Sequence, residues 1–436
     1  MSPSIAALLS QIDLIGQDLA VSDSPEKQAK LRAAALNLSA ALEPDSDIVE
    51  RISFQYLDNV AIRIAIQLNL FEILVKSEKP KSLVDIFEIT KADPILLRRL
   101  LNHLTTMDAV AQVGKDLFRP SRKSKIFAIP HQAAALKFCF DFNGPVWQET
   151  PSFLTKTNYV NPTDPLKCAT QAAYKTDDHF FRVMIKRPPV FDTFNLWMTG
   201  YHDSRASWLD SYPFRERIID SADTGEPITF VDVGSGRGHE AMAVKNRFPG
   251  LMGRLVIQDL PQVFKTLDGP SSDIEVMPHD FFSPQPVKGA KVYFFRHIFH
   301  AFSNDSCLKF LARTRDAMTP TYSRILISDW IVPSQISSNS QTPSETPPQL
   351  NTSNERDLIA EAAAAAAAAA QATRDAPLPP TFATAMDMNM LSVTGGQERT
   401  EVQWQELMQR AGLRIVGFWG PRDGRGTGIV EVVRDS

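Results

Sequence analysis

The sequence predicts an α/β protein. Its second half should form a parallel sheet, and its first half should be helical and end in a winged-helix pattern. Three observations predict this. From Glu226 onward, apolar strand-like runs alternate with helical ones, the order of a parallel sheet covered by helices. Residues 54–130 read as short helices followed by a small hairpin. One buried strand, Ile228 to Val233, runs directly into a glycine-spaced turn that opens a helix.

Composition narrows the function classes. The chain has 436 residues, room for two or three domains, and its 43% apolar content suits a packed protein. Lys plus Arg is 46 against 50 Asp plus Glu, a net charge of −4, with no basic stripe, so no nucleic-acid partner is expected. Cys139, Cys168 and Cys307 form no CxxC or zinc spacing, and a sparse odd count fits a reducing, cytoplasmic setting. Met1 to Ala20 lacks the basic start of a signal peptide. The run near Ala360 to Ala372 is almost pure alanine, too weakly hydrophobic for a membrane span, so no membrane partner is expected.

The elements follow in order. An N-terminal helical segment, residues 1–50, puts Ile5, Leu8, Leu9, Ile12 and Ile15 on one face, either as a surface helix or against a partner subunit. Residues 51–130 are the winged-helix-like domain. Val60, Ile64, Leu68 and Phe71 make an apolar stripe, a second helix starts at Ser82, and a third starts at Asp93-Pro94. That third helix should turn Leu96, Leu97, Leu100, Leu101 and Leu104 inward and Arg98 and Arg99 outward, and Val110 to Phe118 should form a hairpin. Residues 131–225 are a helical, aromatic region whose rings are mostly core, with some available to line an apolar pocket for a flat substrate. Residues 226–436 carry strands at Ile228–Val233, Arg254–Asp259, Val292–Phe295 and Arg324–Ser328, then a helix over 402–411 and a terminal strand pair. Residues 334–380 interrupt that order with a Ser/Thr/Pro-rich stretch and nine alanines, Ala362 to Ala370. The first part should be disordered and the alanine run a solvated helix.

The chemistry sits in four motifs. Asp232-Val233-Gly234-Ser235-Gly236-Arg237-Gly238 follows the first strand, and its glycines let a ligand approach the backbone. Asp259, at the tip of the next strand, can accept both hydroxyls of a ribose, which makes this a Rossmann-like nucleoside site. The turn reads GxGxG rather than GxGxxG, and Asp232 and Asp280 add carboxylates where a pyrophosphate site would not have them. A neutral adenosine with a cationic tail fits better, although each Asp taken alone also reads as a turn or cap residue. Arg296-His297-Ile298-Phe299-His300 follows a strand C-terminus, where ligands sit in open α/β sheets. His297 and His300 have no third metal ligand at suitable spacing, so no metal is expected, and His300 reads as a general base. Last, Met386 to Leu391 is a Met-rich helix, more often core than pocket. Glu398, after the double glycine Gly395-Gly396, is either a helix N-cap-region acid or the group that orients His300.

Together these pieces resemble the caffeate-type small-molecule O-methyltransferases of plants and fungi, over roughly residues 55–435 without the insert. The resemblance implies a class I methyltransferase fold, S-adenosylmethionine (SAM) as cofactor, and a winged-helix domain used for homodimerisation. Trp208 to Phe214 looks like the fungal branch's approach to the SAM domain. Val231 to Gly238 looks like the family's SAM loop, with Ser235 where Gly is usual. Gln258-Asp259-Leu260-Pro261 is similar to its ribose strand, Asp280 and Phe281 to its adenine-side pair, and Arg296 to a Lys or Arg beside the cofactor. His300 falls on the catalytic base, and Glu398 and Asp329 on the two acids that hold it, with Asp329 replacing the usual Glu. Met390 falls on a substrate-clamping Met, and Phe302 lies on the substrate side.

The resemblance therefore implies an O-methyltransferase acting on a phenolic or enolic small molecule of fungal-type secondary metabolism. Where the family reads His-Asp-Trp or His-Asp-Tyr, this chain reads His300-Ala301-Phe302. A side branch of the family binds SAM but catalyses dehydration and pericyclic ring closure without consuming it. Retention of His300 and Glu398 favours methyl transfer.

Overall fold

The computed structural model describes residues 4–22, 24–203, 207–220, 228–251, 253–264, 273–332, 381–421 and 426–435. The insert over 334–380, with its expected disordered stretch and alanine helix, lies outside them. The chain divides into two compact units, one containing residues 1–56 and the other residues 57–334 and 380–436.

In the first unit the helices Ile5–Val21 and Pro25–Leu42 pack on each other. Both begin at serine caps, because Ser4 and Ser24 accept hydrogen bonds from the backbone N–H groups of Ala7 and Lys27. Leu8 is buried, whereas Ile5, Leu9 and Leu14 stay about half exposed. On the helix Asp45–Gln67, Val49, Ile52 and Phe54 are each more than 60% exposed. These long apolar side chains find no cover within the unit.

The second unit opens with the winged-helix-like part. Ser82 and Asp85 cap each other at the start of the helix Leu83–Thr90, and Asp93 caps the helix Pro94–Thr106. Strands β1 (Lys81–Ser82), β2 (Val110–Gly114) and β3 (Leu117–Pro120) form the wing in the order β1-β3-β2. Leu97, Leu100, Leu101 and Leu104 are buried as expected, but Leu96 is 47% exposed. Four leucines at i, i+3, i+4 and i+7 already fill the inward stripe, and Leu96 sits one residue, about 100°, outside it. In the helical region that follows, Phe138, Phe142 and Phe180 are core, while Phe181, Phe194 and Trp197 pack against it partly exposed.

The main sheet holds β4 (Ile228–Val233), β5 (Gly253–Asp259), β6 (Ile274–Pro278), β7 (Val292–Arg296), β8 (Arg324–Val332), β9 (Arg399–Thr400), β10 (Arg414–Trp419) and β11 (Thr427–Val433). Its order is β10-β11-β8-β7-β4-β5-β6, with β9 beside β8. Strands β4 to β8 are parallel, and β11 and β10 extend the sheet in antiparallel pairings. The chain goes to β5 and β6 on one side of β4 and to β7 and β8 on the other. The strand order thus reverses between β4 and β7, where open sheets form a crevice beyond the strand C-termini. Both faces are covered, so the parallel strands read as apolar runs. Tyr293 and Phe295 of β7 enter one core and Val292 and Phe294 the other, each side chain fully buried and worth roughly 1.5–3 kcal/mol.

One ion pair is built into this sheet. The fully buried Glu431 of β11 accepts from Arg217 at 2.6 and 3.0 Å, and Arg324 lies 3.4 Å from the same carboxylate. Arg217→Leu should lower stability by about 3 kcal/mol, since it strands a buried charge that Arg324 only partly offsets. Urea unfolding at neutral pH measures this, and a loss below about 1 kcal/mol would show that Glu431 is carried by Arg324 alone.

Candidate active site

Four strand ends converge on the crevice. The turn after β4 takes positive φ at Gly234 (70°), Gly236 (56°) and Gly238 (77°), a conformation that favours glycine. A Cβ at Gly234 would also stand 2.5 Å from the tip of Ile298, which would have to move aside. The N–H groups of Gly234 and Ser235 both donate to the carbonyl of Gln258 on β5 (2.8 and 3.0 Å). Behind that carbonyl the Gln258 and Gln285 side chains, both buried, exchange two amide hydrogen bonds of 2.8 Å each.

Asp259 ends β5 facing the turn. Its Oδ2 accepts from Gly236 N–H at 2.8 Å and its Oδ1 from Leu260 N–H at 2.7 Å. Burial pushes its carboxyl up, and those two N–H groups pull it back down. One loop further on, Asp280 accepts from Phe282 N–H at 3.0 Å, and Phe281 flanks the turn with its ring edge 3.7 Å from where a Gly234 Cβ would lie. This half of the crevice offers uncovered backbone, a carboxylate and an aromatic ring, a set that fits an adenosine. Asp232 and Arg296 lie beneath it. Asp232 is 1% exposed and accepts from Ala241 N–H at 3.3 Å, and burial holds its carboxyl well above the usual range. Arg296 is salt-bridged to the buried Glu240.

The other half is built around His300, on the single 3-10 turn Phe299–Ala301 after β7. His300 Nδ1 lies 2.8 Å from Glu398 Oε1 and 3.8 Å from Asp329 Oδ1, and its backbone N–H donates to Asp329 Oδ2 at 3.3 Å. Both acids are buried. Burial alone would lower the imidazole pKa, but Glu398 and Asp329 outweigh it and push His300 up to about 9. Burial raises both acids, while His300 draws them back down. Glu398 bonds His300 and does not cap a helix. The helix Glu401–Arg410 is capped by Thr400 instead. The spacing of His297 and His300 offered no third metal ligand, yet the sheet supplies one. Asp329 Oδ1 lies 3.4 Å from His297 Nδ1, and the three residues form a cluster.

Met390 is 8% exposed on the helix Thr381–Thr394, and its carbonyl accepts from Gly396 N–H. Phe302 packs among Phe281, Phe282 and Phe310, with His179 stacked on it at 6.3 Å. The sheet therefore brings His300, Asp329 and Glu398 into contact and sets Asp259 against the Gly234–Gly238 turn, while Asp232 is fully buried.

Sequence reasoning gave no role to two positions. Arg399, fully buried, donates to the carbonyls of Phe299 and Phe302 (2.9 Å each) and to Asn304 Oδ1, and so grips both ends of the turn that carries His300. At Gly396 a Cβ would stand 2.1 Å from the His300 carbonyl. Both lie within the Gly395 to Thr400 motif, but neither spacing nor polarity marks a buried arginine as a clamp.

Known proteins place this arrangement. Residues 29–129 match the O-methyltransferase dimerisation domain and residues 214–354 the O-methyltransferase domain. Methyltransferase cfoC of Aspergillus candidus is 31% identical over 429 residues, 96% of each chain. The demethylsterigmatocystin 6-O-methyltransferase of Aspergillus flavus is 30% identical over 87% of this chain and 86% of its own. Two solved structures, LepI in complex with SAM and one described as a pericyclic reaction enzyme, each superpose with a TM-score of 0.79 at 27% identity, over 99% of this chain and 100% of theirs. The fold is that of a class I methyltransferase with an N-terminal dimerisation domain. The chain belongs to the SAM-dependent O-methyltransferase family of fungal secondary metabolism, and SAM is its cofactor.

Gly396→Ala should displace the His300 turn. A misplacement of about 1 Å costs roughly 10²-fold in rate, so methyl transfer should fall by about that factor while SAM affinity stays unchanged. Product assays and calorimetric SAM titration measure the two separately, and wild-type turnover would refute the close packing.

Proposed function

We propose that the protein methylates a phenolic or enolic hydroxyl of a small molecule, with His300 as general base and Asp329 and Glu398 as the acids that orient it. The observation that carries this is the 2.8 Å bond from His300 Nδ1 to Glu398, which fixes the ring and leaves Nε2 to take a proton. A phenol, with a pKa of about 10, must lose its proton as it attacks. SAM, when bound, supplies the electrophilic methyl group. Asp259, Leu260, Asp280 and Phe281 would hold its adenosine beside the Gly234–Gly238 turn, with Asp232 and Arg296 shaping the floor. Met390 and Phe302 would border the acceptor.

Asp259→Ala should weaken SAM binding by about 1.5–3 kcal/mol, the usual range for a lost charged hydrogen bond, without unfolding the protein. Unchanged affinity by calorimetry would remove Asp259 from the site.

The proton-transfer role has its own signature. Protonated imidazole cannot accept a proton, so kcat/KM should rise with pH through a midpoint near 9, the value to which the two acids lift His300, and level off above it. Glu398→Gln removes the larger of the two anionic contributions, so the rising limb should move to lower pH. His300→Ala should cut turnover by roughly 10²- to 10⁴-fold, with partial recovery at high pH and SAM affinity intact.

A second reading is favoured by one observation, the likeness to a pericyclic reaction enzyme. In it SAM acts through its positive charge and is not consumed. Counting S-adenosylhomocysteine per product molecule separates the two. A ratio of one supports methyl transfer, and a ratio near zero with the true substrate would overturn it.

We further infer a cytoplasmic homodimer that takes a small-molecule substrate and neither nucleic acid nor membrane. Cys139, Cys168 and Cys307 are unpaired, and no helix among the described residues is long and apolar enough to cross a membrane. The matched dimerisation domain and the uncovered Ile52 and Phe54 support pairing through the N-terminal region. Light scattering at micromolar concentration should give twice the 48.5 kDa chain mass, and a monomer would count against it.

A further inference from the structure

We propose that His297, His300 and Asp329, with Glu398 beside them, form a site for a divalent transition metal, with Zn²⁺ the best match, and that its occupancy switches His300 off as a base. The donor set is two imidazoles and a carboxylate, a borderline N/O mixture that suits Zn²⁺ rather than Mg²⁺ or Ca²⁺ and leaves the fourth tetrahedral position to water. Ligands about 2.0–2.2 Å from a tetrahedral ion stand roughly 3.3–3.6 Å from each other. Two of the separations here lie close to that edge: 3.4 Å from His297 Nδ1 to Asp329 Oδ1 and 3.8 Å from His300 Nδ1 to Asp329 Oδ1.

Two further observations point to a ligand. Asp329, with no exposed surface, keeps Oδ1 without a hydrogen bond, and Glu398, 5% exposed, keeps Oε2 without one. Two buried carboxylates, Asp329 and Glu398, carry the charge that one divalent ion neutralises. Arg399, which grips the same turn, offsets part of that charge from the far side of the carbonyls it binds. His297 is also held at a φ of 52°, a left-handed conformation that the surroundings must enforce on a non-glycine residue. The sequence hides the site because Asp329 and Glu398 lie 29 and 98 residues from His300.

The switch follows from imidazole tautomers. With Nδ1–H donated to Glu398, the lone pair is on Nε2 and can take a substrate proton. A metal on Nδ1 takes that lone pair position, and the ring keeps its single proton on Nε2, which can then donate but not accept. Starting from the imidazolium, one proton leaves to solvent as the metal binds. The binding half rests on geometry alone. The switching half rests on His300 being the base.

The test uses the full-length, chelator-treated chain without SAM. Titration with CoCl₂ should produce the intense visible bands of tetrahedral Co²⁺, saturating at one ion per chain and bleached by one equivalent of ZnCl₂. The bands should disappear in His297→Gln and in Asp329→Asn. In turnover assays ZnCl₂ should slow wild-type methyl transfer by about tenfold or more, and His297→Gln, with its base and orienting acids intact, should resist it. Absence of a tetrahedral band, or an unchanged band in both variants with melting temperatures preserved, overturns the site. A full band with undiminished turnover overturns the switch. Because the cobalt bands need no turnover, a chain that proved not to transfer methyl groups would still give a clear answer on the site.

Discussion

Arg399 is buried without exposed surface, and the geometry around His300 depends on what it binds. A guanidinium inside a protein is tolerated only when its donors are met. Here they are met by the carbonyls of Phe299 and Phe302, by Asn304 and by the face of Trp404, 5.3 Å away. The two carbonyls bracket His300, so the same contacts that compensate the arginine fix the turn that carries the imidazole. Its positive charge also counts among the lesser influences that lower His300 and Asp329. The position of the imidazole is thus set in large part by a side chain that bonds the turn's backbone and Asn304.

The acids arrive by sheet pairing. Asp329 is carried on β8, next to β7, from whose end His300 projects. Glu398 comes from far along the chain but directly precedes β9, whose rungs Ile331↔Arg399 and Val332↔Thr400 tie it to β8. Two rungs are little on their own. They hold because Gly396 lets the loop lie against the His300 carbonyl and because Arg399 is itself the first residue of β9. Clamp, strand and acid occupy three adjacent positions, Glu398 to Thr400, so a slip of one residue there would misplace all of them.

Much of this was legible in the sequence, for identifiable reasons. The parallel strands announce themselves as apolar runs because both faces are covered, and Ile228–Val233 is bounded as read. Ser82 and Asp93 begin helices because capping is local chemistry, complete within three residues. The turn after β4 was readable because its glycines are required by backbone geometry. What stayed hidden depends on tertiary placement. Nothing near Asp329 or Glu398 in sequence says that they meet at His300, and only the family resemblance brought them together. Arg399 carried no sequence signal of a role. Asp232 looked like a residue facing a ligand, because a strand-end position gives no sign of whether its carboxylate points into the crevice or under the following helix. Leu96 was misjudged because a stripe of leucines shows its centre clearly and its edge poorly.

The reciprocal amide pair of Gln258 and Gln285 supports the carbonyl on which the Gly234–Ser235 turn hangs. It is a neutral strut, held by dipoles with no proton to gain or lose. The other half of the crevice is braced by an imidazole, two acids and a guanidinium, all sensitive to protons or charge. A change of alkalinity therefore reaches the His300 cluster directly, while this amide strut, unlike the carboxyls of Asp259 and Asp232 near it, has nothing to titrate.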